Sequence, residues 1–326
     1  MQISKELQQI FVHNYLHKRV ALILMTGFAL LGGGCRVGTF SKNHFAMYSS
    51  SPDEDSQNQK RLESLKIGVL ANYSPTKQKG MTQALDRYLE KTLGLQVDFR
   101  IASEYQNIID WLVKEEIDIA YLGATSYLEA LERGARVKPL VAPIDKYSGR
   151  PWFKSVILVK ANSSVQSLSD LKGKRVAFVD KFSTSGYLVP AIAFQQIRIT
   201  PKYDFVQTIY AGTHYKSIKA LQEGKVDAAA TNIPFYMKLK KLGKLNQNEF
   251  RAIWKSDYIS QVPIVVCQKL PEELVENLKL AFLQAPNGIE EIMGIQSTGY
   301  TLILERDYRR IRKLRKKLNF RSEAIK

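Results

Sequence analysis

From residue 65 onward the chain switches between two periodicities. Leu65-Lys66-Ile67-Gly68-Val69-Leu70 alternates apolar and polar side chains, the period-2 pattern of a strand. A loop follows, Ala71-Asn72-Tyr73-Ser74-Pro75, and then an amphipathic stretch with helical spacing to about Leu93. Val97-Asp98-Phe99-Arg100-Ile101 predicts the next strand, and Tyr105 to Lys114 the next helix. Strands and helices taken in turn predict parallel β/α units. Further on, the apolar run Val176-Ala177-Phe178-Val179 leads directly into Phe182-Ser183-Thr184-Ser185-Gly186-Tyr187. Apolar residues followed by hydroxyls and a glycine predict a strand, a tight loop and a helix start. Pro190 fits that helix's first turn, where a missing N–H costs little.

The pattern also repeats. Ile117-Asp118-Ile119-Ala120 and Val226-Asp227-Ala228-Ala229 each follow a helix and an acidic turn, late in their own β/α series. Two similar lobes are the simplest meaning, because the spacing is far too long for a short-period array. The expected division is lobe one at 64–143 plus 256–304, lobe two at 152–250, and a C-terminal helix at 305–326. Two strands crossing between the lobes would act as hinges.

Ahead of the folded part lies a leader. His17-Lys18-Arg19 precedes the apolar segment Val20 to Leu31, which ends in Gly32-Gly33-Gly34-Cys35. A basic flank, a short apolar run and small residues are the parts of a secretory signal, and about a dozen apolar residues fall short of a bilayer span. Ending on Cys, the leader resembles a bacterial lipoprotein signal. That resemblance implies residues 1–34 as signal, Cys35 as the lipidated mature N-terminus, and 35–63 as a polar tether. Gly32 stands where such signals usually carry Leu, so cleavage by ordinary signal peptidase is the alternative. The other cysteine, Cys267, follows the strand-like Pro263-Ile264-Val265-Val266 and reads as a small buried hydrophobe.

Charge changes the picture at one end. The formal net charge is +17, and Glu305 to Lys326 alone holds ten Lys and Arg against three acids. No zinc-finger spacing or RNP-like motif accompanies the excess, so no nucleic-acid partner is expected. Tyr308, Ile311, Leu314 and Leu318 form an apolar stripe at helical spacing, which predicts a helix with its charged face in water.

Ser183, Thr184 and Ser185 carry the chemistry. Hydroxyls at a helix N-terminus sit beside unpaired backbone N–H groups and the positive end of the helix dipole, a combination suited to a small oxyanion. An ordinary N-cap with extra serines is the structural alternative. Four motifs then point one way. Ser167-Leu168-Ser169-Asp170-Leu171-Lys172-Gly173-Lys174-Arg175-Val176-Ala177 resembles the start of the second lobe of periplasmic solute-binding proteins. Asp180 to Pro190, with Ala211-Gly212-Thr213-His214 and Ile253-Trp254-Lys255-Ser256, resembles the phosphonate- and phosphite-binding components of ABC transporters.

That resemblance implies an α/β fold of two lobes, each a mostly parallel sheet flanked by helices, with a ligand cleft between them. It implies a monomeric, extracytoplasmic binding protein, not an enzyme, that passes a small phosphorus oxyanion to a permease and ATPase complex. No cofactor and no metal are expected. Ser183, Thr184, Ser185 and His214 would hold the oxyanion from lobe two, with Tyr73, Tyr121 and Ser126 from lobe one. Tyr121 has a plain alternative as a core tyrosine, because Leu122 fills the second place of the family's aromatic pair. Members that take aminoalkyl phosphonates present a Glu and an Asp to the ammonium; here Pro234 and Val262 fall at those places. A simple anion such as phosphite, methylphosphonate or phosphate is therefore expected. A sensor of the same fold is one alternative, and a secreted hydrolase using Ser185 and His214 is another. The chain lacks the leading glycine of a Gly-x-Ser-x-Gly elbow and any His-Glu-x-x-His motif.

Overall fold

A computed structural model describes residues 64–72, 75–146, 148–246, 248–286, 292 and 297–318. The expected signal, Cys35, the tether and Tyr73 lie outside the described residues. The first sheet holds β1 (Ser64–Leu70), β2 (Gln96–Ala102), β3 (Ile119–Tyr121), β4 (Val137–Asp145), β12 (Ile264–Cys267) and β13 (Ser297–Leu302). The second holds β6 (Ser155–Lys160), β7 (Arg175–Phe178), β8 (Gln207–Tyr210), β9 (Ala228–Asn232) and β10 (Phe250–Lys255). A short ribbon of β5 (Trp152–Phe153) and β11 (Ile259–Ser260) lies on the two segments that pass from one sheet to the other.

Strand order is β13-β4-β12-β3-β1-β2 in the first sheet and β10-β6-β9-β7-β8 in the second. The predicted β/α units supply the parallel pairs: β1 with β2 and β3, and β7 with β8 and β9. The sheets are nevertheless mixed rather than mostly parallel. β12 runs antiparallel to β3 and β4, and β6 runs antiparallel to β9 and β10. The cause is the double crossing. A chain that re-enters a sheet through the end by which it left runs antiparallel to the strand it left from, as β12 does beside β4 and β10 beside β6.

Helices cover both faces, so the central strands are apolar throughout instead of alternating. In β9, Ala228 and Ala230 face one cluster and Ala229 the other. In β6, Ile157 and Val159 face the first and Val156 and Leu158 the second. The helices are α1 (Pro75–Leu93), α2 (Tyr105–Val113), α3 (Ala124–Glu132), α4 (Val189–Gln196), α5 (Pro201–Asp204), α6 (His214–Gln222), α7 (Ile233–Lys241), α8 (Glu272–Leu283) and α9 (Arg309–Lys317). Among the described residues, no helix is long and apolar enough to cross a membrane.

The repeated Asp motif has the same job in each lobe. Asp118 donates its N–H to Lys66 O at 2.8 Å, and its carboxylate accepts from Lys66 N at 2.9 Å. Asp227 does likewise with Arg175 O at 2.8 Å and Arg175 N at 2.8 Å. Each aspartate therefore closes a loop onto the first strand of its β/α series, which is why both motifs read apolar-Asp-apolar-Ala. The Arg175 guanidinium beside Asp227 also holds that carboxyl below its ordinary pKa.

Candidate functional site

The Ser-Thr-Ser turn is built from its own backbone. After β7, Asp180 accepts from Phe182 N through Oδ1 at 2.7 Å and from Ser183 N through its carbonyl at 2.9 Å. Ser183 Oγ then accepts from Gly186 N at 3.1 Å, the cap expected of a serine at this place. Thr184–Leu188 forms a wide π-type turn, closed by Leu188 N donating to Ser183 O at 3.0 Å, and runs on into α4. Gly186 N–H is satisfied by that cap, which leaves the Thr184 and Ser185 N–H groups at the start of the turn without an intrahelical acceptor. Position 186 tolerates only glycine here: a Cβ would lie 2.3 Å from Val179 Cγ2.

His214 is placed by a second turn. Gly212 takes φ +85°, a left-handed conformation that favours glycine, and Thr213 Oγ1 caps Lys216 N at 3.1 Å. His214 becomes the first residue of α6, with Nδ1 3.0 Å from Thr231 Oγ1 and Nε2 3.2 Å from Asn232 Nδ2. The proton positions follow from the network. Asn232 Oδ1 accepts from Phe235 N at 2.8 Å, so its NH₂ faces the ring and Nε2 must accept. Nδ1 therefore carries the proton and donates to Thr231. Burial pushes the imidazole pKa down to about 4, which keeps the ring neutral.

These groups line a cavity of about 50 Å³ between the lobes. Ser183, Thr184, Ser185, His214, Asn232 and Asn72 supply its polar side, and Leu70, Phe153, Phe235 and Val262 its apolar side. No Asp, Glu, Lys or Arg is among the described residues that line it. Tyr105 completes the wall; burial raises its phenol pKa, and a hydrogen bond with Ser183 opposes that rise.

The structure brings together four of the seven residues named from the sequence: Ser183, Thr184, Ser185 and His214. All four are buried, Thr184 being only 4 % exposed. Tyr121 is packed in the first lobe's core, edge-on to Phe282 with ring centroids 6.2 Å apart, and is not among the lining residues. On the buried strand β3 its ring faces the α8 side, as the core alternative has it. Ser126 is also buried and off the cavity; its hydroxyl donates to Phe182 O at 3.0 Å across the lobe junction. Asn232, Asn72 and Phe153 escaped the sequence reading. Asn232 alone left a signal, since Asn-Ile-Pro marks a helix cap.

The hydroxyls, first-turn amides and absence of ionised side chains describe a receptor for a small polar ligand. Residues 67–308 match the family model described as "ABC transporter, phosphonate, periplasmic substrate-binding protein". The chain belongs to this family. It is 29% identical over 233 residues to the phosphate-import protein PhnD of Mycolicibacterium smegmatis, covering 69% of this chain and 73% of that one. It is 30% identical over 243 residues to the phosphonates-binding periplasmic protein of Escherichia coli, covering 73% and 71%. In fold it is similar to the binding-protein component of a Pseudomonas aeruginosa ABC phosphonate transporter, with TM-score 0.72, 24% identity and coverage of 79% and 87%. It is also similar to Prochlorococcus marinus PhnD1, solved in complex with methylphosphonate, with TM-score 0.71, 20% identity and coverage of 79% and 98%. As a member of a periplasmic binding-protein family, this chain is extracytoplasmic.

Proposed function

We propose that the cavity takes phosphite, methylphosphonate or a phosphate-like anion and that the protein delivers it to an ABC permease. One observation carries the reading: a cavity of about 50 Å³ at a helix start, rich in donors, with no charged side chain among the described residues that line it. A single water needs roughly 10–15 Å³, so the space suits about four such groups, the size of a tetrahedral oxyanion. The Ser183 hydroxyl is taken up within the wall, accepting from Gly186 N–H and bonding Tyr105, so the Thr184 and Ser185 hydroxyls and the first amides of the turn are the donors this reading offers to the ligand. Asn232 keeps a second amide hydrogen for the same use. Fixed donors favour a ligand made of acceptors and penalise one that leaves them unpaired.

The relatives named above for phosphate import and phosphonate binding support this class of ligand. Val262 in the cavity wall supports a simple anion over an aminoalkyl phosphonate, since it offers an ammonium nothing to pair with. A hydrolase using Ser185 and His214 is disfavoured. Both imidazole nitrogens are engaged by Thr231 and Asn232, so the ring is not placed to take a proton from Ser185. In this reading lobe one is 64–143 with 256–304 and lobe two is 152–250. The chain acts as a monomer, tethered by a lipid on Cys35. Calorimetric titration with phosphite, phosphate, methylphosphonate and an aminoalkyl phosphonate tests the assignment. Binding of none of the first three refutes it.

A further inference from the structure

The C-terminal helix α9 holds seven Lys and Arg in nine residues, and one of them points inward. Arg315 is 2 % exposed, on the same face as the buried Ile311. Its Nη1 donates to Thr125 O at 3.1 Å, and its Nη2 to Glu129 Oε2 at 2.8 Å and Glu132 Oε2 at 2.6 Å. All three partners lie on α3, so the guanidinium joins α9 to the first lobe's helix at the cleft. Thr125, at the start of α3, reaches the second lobe. Its N–H donates to Thr184 Oγ1 at 2.9 Å, and the two hydroxyl oxygens are 3.0 Å apart.

The Thr184 oxygen has two lone pairs. The Thr125 N–H occupies one. If the Thr125 hydroxyl donates to the other, the only use left for the Thr184 proton is an acceptor in the cavity that Thr184 lines. We propose that Thr125 and Arg315 are positioning residues for ligand binding: Arg315 fixes the first turn of α3, and Thr125 commits the Thr184 O–H to the oxyanion. The inference rests on the oxyanion reading above. An arginine suits the place because its planar fork can reach a carbonyl and two carboxylates at once. A buried ion cluster kept only for folding is the competing account, and it predicts altered melting with unaltered affinity.

The test is a double-mutant cycle on the full chain, with Thr125→Val, Arg315→Lys and the double variant titrated calorimetrically with phosphite and methylphosphonate and melted in parallel. Thr125→Val keeps the shape and the backbone N–H, so it should melt near the wild type while binding about tenfold more weakly. Arg315→Lys should weaken binding several-fold, and the double variant should lose less than the product of the single losses. Independent, fully multiplicative losses overturn the link between Arg315 and Thr125. Wild-type affinity in Thr125→Val overturns the whole proposal, and does so even if Arg315→Lys fails to fold. Absence of oxyanion binding by the wild type overturns the oxyanion reading and this proposal with it.

Discussion

Gly186→Ala is the sharpest single perturbation of the ligand turn. The added methyl would lie 2.3 Å from Val179 Cγ2, 2.4 Å from Val179 Cβ and 2.8 Å from Ser183 Oγ. Ordinary carbon contacts begin near ~3.5 Å, so the nearest pair is short by roughly 1.2 Å. Rotating Val179 cannot relieve this, because its Cβ position is set by the backbone. Val179 is also fully buried and tied to residue 186, its N–H donating to Gly186 O at 3.0 Å. The turn itself must therefore move, at the expense of that bond and of the Ser183 cap. Overpacking costs about 1–3 kcal/mol and a lost cap about 1 kcal/mol, for a total of roughly 2–4 kcal/mol. For a folded unit of this size, each kcal/mol lowers Tm by about 2–4 °C, so a drop of about 5–15 °C is expected. Hydrogen bonds to charged groups are worth about 1.5–3 kcal/mol, so displacing even one turn donor should weaken oxyanion binding at least about tenfold. Scanning calorimetry and titration with methylphosphonate on the same sample read both effects. Val179→Ala should not rescue the variant, because the Cβ contact remains. Wild-type melting and affinity in Gly186→Ala would refute the close packing on which the cradle depends.

Three more outcomes are expected. The His214 imidazole is held at about 4, below its ordinary 6.5, so the unfolded chain takes the proton first as the solution is acidified. Its contribution is full above pH 6.5 and lost as pH falls toward 4. That loss is on the order of 3 kcal/mol, and a wild-type urea stability no more acid-sensitive in this window than that of His214→Gln would contradict it. An aminoalkyl phosphonate should bind the wild type at least about tenfold more weakly than methylphosphonate, since an unpaired buried ammonium costs several kcal/mol. Val262→Asp, alone or with Pro234→Glu, should narrow that gap, and equal binding of the two ligands by the wild type would remove Val262 from the selectivity argument. For the anchor, mass spectrometry of the membrane-bound protein should find a mature chain beginning at lipid-modified Cys35; an unmodified Cys35 or another start would overturn the lipoprotein reading.

Much of this molecule follows from local periodicity. Apolar runs and helical stripes are consequences of backbone geometry, so β1, β2, β7 and the helices after them were legible residue by residue. The Asp118 and Asp227 motifs were legible as a repeat, because each uses the same short-range chemistry to meet its own first strand. The Ser183–Gly186 turn was readable as an anion cradle, since hydroxyls, glycine and a helix start lie within a few adjacent residues. What sequence could not decide was where distant surfaces meet. The antiparallel strands β6 and β12 exist because the chain crosses between lobes twice, a property of the path and not of any window. Tyr121 could face either side of β3, and packing against Phe282, 161 residues later, settled its direction. Ser126 went to Phe182 O rather than to the cavity because the closed junction placed that carbonyl 3.0 Å away. Arg315 shares the helical face of Ile311, yet its charge argued for water until Glu129, 186 residues earlier, supplied a buried partner. A residue's own chemistry bounds the partners it can take, and only the tertiary path brings one of them within reach.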